Sequence, residues 1–203
     1  MGKPIYFEGK VDKNGDLVLK EDGRVISVSK EYADNYYNAL LKASNEMQYL
    51  FLSNGTIFCI TQYTMIKDYG SGTPLGITFD PSSGFANVDL KVGNYSIDSY
   101  FETAIHELGH ATDFYYKALT GKMINEQENI NKLYEKYKKM PSEDRPMRDY
   151  SYTSVNEFVA DLFLFYYLNG VDHNYSFSRN RINKEMLKEF EPYIIELKKW
   201  VKI

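Results

Sequence analysis

One stretch, Val155 to Leu168, constrains this chain more than any other: it reads VNEFVADLFLFYYL. It is too short to cross a bilayer and too apolar for a surface helix, so it predicts a buried helix. Apart from Asn156, its only polar side chains are Glu157 and Asp161. Four residues apart, the two carboxylates share one helix face. A buried carboxylate is costly unless a cation or a set of donors meets it. Any fold of this chain must therefore bring such groups to Glu157 and Asp161.

The chain has 3 histidines, and two of them lie in His106-Glu107-Leu108-Gly109-His110. On a helix, positions i and i+4 fall about 40° apart and one turn up, so both imidazoles can reach one metal ion. Glu107 then stands beside that ion and can take a proton from water. A tetrahedral catalytic zinc needs a third protein ligand and an open position. A third histidine six residues after His110 is excluded, because that position holds Tyr116. The other option is a glutamate from a second helix, and Glu157 is available. Asp161 could then bond the outer nitrogen of a ligating histidine. A rival reading of Glu157 stays open: Ser154-x-x-Glu157 is also a capping-box pattern, which would leave Asp161 unexplained. His173, in VDHNYS, reads as a surface histidine.

Around these segments the pattern runs from strands to helices. The first thirty residues read as short strands: IYFEGKV, a turn at Lys13-Asn14-Gly15-Asp16, LVL, then VISVS. Their role is not indicated by any motif. A helix is expected from Ser29 to about Gln48, a strand over Thr56–Tyr63, a loop over Tyr69–Gly76, and a hairpin from ITFD and FANVDLKV. Ser99-x-x-Glu102 predicts a capping box opening a helix that runs to about Leu119, with Gly121 beyond its end. Residues 123–140 read as a charged, solvated connecting helix, and Lys184 to Val201 as a last amphipathic one. Strands first and helices later predict an α+β fold, a single domain over 1–203 with a small mixed sheet and a mostly helical half carrying the metal site.

Composition narrows the function classes. With 24 basic against 28 acidic side chains, the net charge of −4 lacks the basic footprint of a general nucleic-acid binder. No apolar run is long enough for a membrane helix. Cys59 stands alone, which excludes an internal disulfide and a cysteine zinc cage; its apolar surroundings suggest an inert buried thiol. Met1–Tyr6 shows no signal-peptide core, and Tyr6 stands where a myristoylation signal wants Ser or Thr. The sequons at Asn54, Asn94 and Asn174 carry no weight, since such triplets arise by chance.

TAIHELGHATDFYY and DYSYTSVNEFVADLFLFYYLN resemble the catalytic domain of anthrax lethal factor and the smaller Pro-Pro endopeptidases, zinc metalloendopeptidases of the gluzincin group. The resemblance covers two blocks, Thr103–Tyr116 and Asp149–Asn169, and is looser elsewhere from about Glu31 onward. Tyr150 stands seven residues before Glu157, as a tyrosine of that family stands before its ligand glutamate. By this resemblance His106, His110 and Glu157 would hold one zinc ion, Glu107 would be the general base and Tyr150 the oxyanion donor. Tyr152 competes with Tyr150 for that role. The resemblance also implies a zincin-like fold, a protein or peptide substrate bound extended, a monomer, and work outside the producing cell or in a host cell. An effector protease for a single host protein and an inactive peptide-binding module are the alternatives. Intact Glu107 and Tyr150 speak against the second.

Overall fold

The computed structural model describes residues 5–9, 34, 36, 38, 41, 45, 50, 57–61, 76–79, 87–91, 97–168 and 184–201. Four short strands, β1 (Ile5–Gly9), β2 (Ile57–Thr61), β3 (Gly76–Phe79) and β4 (Asn87–Lys91), lie in the order β1-β2-β4-β3. β1, β2 and β4 run parallel, and β3 returns antiparallel to β4, with Thr78 opposite Val88. Among the described residues, α-helices run over α1 (Ile97–Thr120), α2 (Glu128–Lys138), α3 (Val155–Leu168) and α4 (Lys184–Val201), and residues 34, 36, 38, 41, 45 and 50 are helical, as expected for the stretch from Ser29.

The expectation of an α+β fold is corrected by where the packed mass lies. Of the residues whose side chains are described, 84% are helical. The described body is a helical domain. Period-2 patterning marks where a strand can form, but not the share of the described body that is strand.

Helix α1 buries Tyr100, Phe101, Ala104, Ile105, Leu108 and Ala111, the stripe expected of 3.6-residue periodicity. It starts at Ile97, so Ser99 lies inside the first turn and is not the expected cap. It stops where Gly121 takes φ 85° and its N–H bonds back to the Lys117 carbonyl at 2.8 Å, a left-handed ending that favours glycine. Asp113 then accepts hydrogen bonds from the Ile124 N–H and from Asn125 Nδ2, tying the following turn to α1.

Residues 123–140 are more than a solvated connector. Ile130, Leu133, Tyr134 and Tyr137 form a buried stripe on α2, while its Lys and Glu side chains take the water-facing side. The charges that dominate its composition hid a core face only four residues wide. Ser154 caps α3, accepting the Glu157 N–H at 3.2 Å. Phe163 of α3 meets Phe190 of α4 edge-on at 4.9 Å, and Tyr134 of α2 meets Phe158 at 5.6 Å. Tyr36 is buried edge-on to Tyr100 at 4.5 Å. Cys59 lies on β2; the expected LVL and VISVS strands, the Tyr69–Leu75 stretch, His173 and the three sequons fall outside the described residues.

Candidate metal centre

α1 and α3 cross where α1 has no side chain. A Cβ on Gly109 would lie 2.8 Å from the Ala160 carbonyl oxygen and 2.9 Å from its Cα. This close approach sets the N-terminal half of α3 against the HELGH turn of α1. His106 and His110 stand edge-on, their ring centres 4.9 Å apart. Glu157 Oε2 lies 2.9 Å from His106 Nε2 and 3.5 Å from His110 Nε2. The three ligand atoms fall within 4.8 Å of one another. The capping pattern at Ser154 is therefore only half used, since the Glu157 backbone meets Ser154 while its carboxylate turns to the histidines.

Asp161, one turn further along α3, lies 2.7 Å from His106 Nδ1 through Oδ1. Arg148 Nη2 donates to the same oxygen at 2.9 Å, and Arg148 Nε to Oδ2 at 2.7 Å. The Ser151 hydroxyl donates to Oδ2 at 2.6 Å. Four donors thus fill the four lone-pair sites of one carboxylate. Burial pushes the Asp161 pKa up, but His106 and Arg148 outweigh it and hold it well below the usual carboxylate range. An ionised Asp161 only accepts, so His106 Nδ1 carries a proton and donates.

That leaves Nε2 of His106 facing Nε2 of His110 and a carboxylate oxygen. Burial alone disfavours an imidazolium at His106, yet the Asp161 carboxylate, with Glu157 and Glu107 adding to it, lifts its pKa to about 10. Burial likewise raises Glu157, and the two histidines outweigh it and hold that carboxyl well below its ordinary value. The Nε2 atoms of His106 and His110 are the neighbours of Glu157 Oε2, at 2.9 and 3.5 Å. Two imidazole nitrogens and one carboxylate oxygen thus converge as a group that could hold a metal ion. The donor types and number fit a catalytic zinc site.

No protein-family model matches this chain, and no characterised protein matches it by sequence. Among solved structures it is similar to the PRO-PRO endopeptidase PPEP-2 of Paenibacillus alvei. Identity is 12%, the match covers 91% of this chain and 95% of that one, and the TM-score is 0.44. At that score the likeness decides neither fold nor activity, and the functional reading rests on the chain's own geometry.

Glu107 is buried on the same turn, beside β3. The Thr78 hydroxyl lies 2.7 Å from Glu107 Oε2 and 2.8 Å from its backbone carbonyl, within reach of either acceptor. Gly76 lies so close that a Cβ there would sit 2.6 Å from Glu107 Cγ. Tyr150 is 49% exposed, its ring 5.9 Å from that of His106, and Arg148 lies 4.8 Å over its face. Burial, together with the Glu157 charge, raises the Tyr150 pKa, so the phenol keeps its proton. Tyr152 is only 4% exposed and packs on Phe158 under Arg145. The competition between the two tyrosines is thus one between a residue beside the histidines and a residue of the core.

Sequence reasoning missed Arg148, Ser151, Thr78 and Gly76. Two signals could have found the first pair. A buried Asp161 needs more donors than one histidine supplies, and Arg148 is the nearest cation before α3. Nothing in the sequence marks Thr78, which meets Glu107 from a strand 29 residues earlier.

Proposed function

We propose that this chain is a zinc-dependent endopeptidase, hydrolysing peptide bonds in a protein or peptide substrate. The observation that carries this reading is the convergence of His106 Nε2, His110 Nε2 and Glu157 Oε2, with Glu107 buried on the same helical turn as His106. Zinc held by these three residues supplies Lewis acidity, polarising a carbonyl and making a nearby water more acidic. Glu107 accepts the proton of the attacking water and returns it to the leaving amine. Tyr150, kept protonated, donates to the carbonyl oxygen as negative charge develops on it. The substrate lies extended along β3, an edge of the described sheet, where backbone pairing holds a peptide in register regardless of its sequence.

The test is a peptide-library digest with zinc-loaded protein, run beside Glu107→Gln. Internal cleavage by the wild type and its loss in a variant that still holds zinc supports the reading. Zinc-loaded, folded wild type that cleaves no peptide or protein in the library overturns it.

A further inference from the structure

We infer that Arg148 is a positioning residue for the metal site, acting on His106 through Asp161. This rests on the zinc reading and deepens it. Arg148 precedes α3 by a short turn and presents a two-pronged grip to Asp161, Nε to Oδ2 at 2.7 Å and Nη2 to Oδ1 at 2.9 Å. A planar guanidinium meeting a carboxylate in this way fixes the plane of the carboxylate as well as its charge. Arg148 Nη2 also lies 3.2 Å from His106 Nδ1. Both are donors, so this contact is two N–H groups sharing Oδ1 and not a bond between them. The direction in which Oδ1 points is therefore set by the guanidinium, and the imidazole must align its Nδ1–H with it. That alignment aims Nε2 at Glu157 and His110.

Two further contacts make the arrangement specific. The Ser151 hydroxyl closes the last acceptor site of Asp161, so the carboxylate cannot rotate without losing a bond. The face of Tyr150 lies against the guanidinium, so the same side chain borders both His106 and the proposed oxyanion donor. A lysine at this position would keep the charge and lose the grip. Its ammonium is a point donor with no plane to impose.

The experiment measures zinc affinity by chelator competition in the full-length chain, for wild type, Arg148→Met, Arg148→Lys, Asp161→Asn and Arg148→Met/Asp161→Asn. Melting temperatures of the chelator-treated proteins are read in parallel. Arg148→Met is expected to weaken zinc binding by about 10–100-fold, the usual effect of losing an outer hydrogen-bond partner. Arg148→Lys should recover only part of that loss. In the Asp161→Asn background, Arg148→Met should change affinity by less than about threefold, because the residue it acts through is already disabled. Equal zinc affinity in wild type and both Arg148 variants overturns the inference. So does the same loss from Arg148→Met with or without Asp161, even if the melting temperature falls in both. A wild type that binds no zinc overturns the metal reading itself, which separates the two failures.

Discussion

Gly109 lies directly on the backbone of Ala160, with the space for a Cβ already occupied by the Ala160 carbonyl oxygen and Cα. The HELGH turn therefore needs its glycine for contact between helices, and not for its backbone conformation. Gly109→Ala improves helix propensity by up to about 1 kcal/mol. It also forces α1 and α3 apart at a backbone contact that cannot rotate away, and overpacking of this kind costs about 1–3 kcal/mol. The expected outcome is a lower melting temperature and weaker zinc binding together, because the same displacement moves Glu157 away from the histidines. Calorimetry and chelator titration of the variant check both parts.

Glu107 and Glu157 are separated by different losses. Glu107→Gln should retain zinc and fold but lose turnover by about 10²–10⁴, since an amide cannot accept the proton. Glu157→Ala should lose zinc affinity itself, as should His106→Ala and His110→Ala, because three protein ligands leave none to spare. Metal content after dialysis against a weak chelator reads the difference. Full zinc in Glu157→Ala would return that residue to a purely capping role.

Tyr150→Phe removes one hydroxyl at an exposed edge. Zinc content and melting temperature should stay near wild type while turnover falls by roughly 10²–10³, the usual loss for one oxyanion donor. KM should move far less, since the bond forms mainly in the transition state. Tyr152→Phe, in the core, should leave turnover intact. Steady-state kinetics on any cleaved peptide decides it, and reversed behaviour of the two variants would make Tyr152 the donor.

Asp113 gives the fold a pH dependence of its own. Burial raises its pKa from 3.8 to about 6, against the hydrogen bonds from Ile124 and Asn125 and the nearby His110, with Glu126 adding to the rise. The folded value is the higher one, so its stabilising share is complete below about pH 4 and is lost as pH rises through 6. Asp113→Asn stays neutral throughout. Wild type should therefore lose on the order of 2 kcal/mol more than the variant between pH 4 and 7. Denaturant unfolding of both proteins at the two pH values, with chelator present, measures this difference. Parallel curves would remove Asp113 as its cause.

The sequence alone determined the elements whose signals are local. The bounds of α3 and α4, the end of α1 at Gly121 and the pairing of His106 with His110 all follow from helical periodicity and from residues no more than four apart. The need of Glu157 and Asp161 for partners was equally legible, because an apolar helix leaves a carboxylate no solvent to turn to. Only the tertiary structure decided which partners meet them. Arg148 and Ser151 reach Asp161 from a turn with no repeating pattern, and Thr78 reaches Glu107 from a strand whose alternation says nothing of its neighbours. Periodicity names the face a segment will bury, but the burial itself depends on what lies opposite, as the contact of Gly109 with Ala160 brings Glu157 to the histidines.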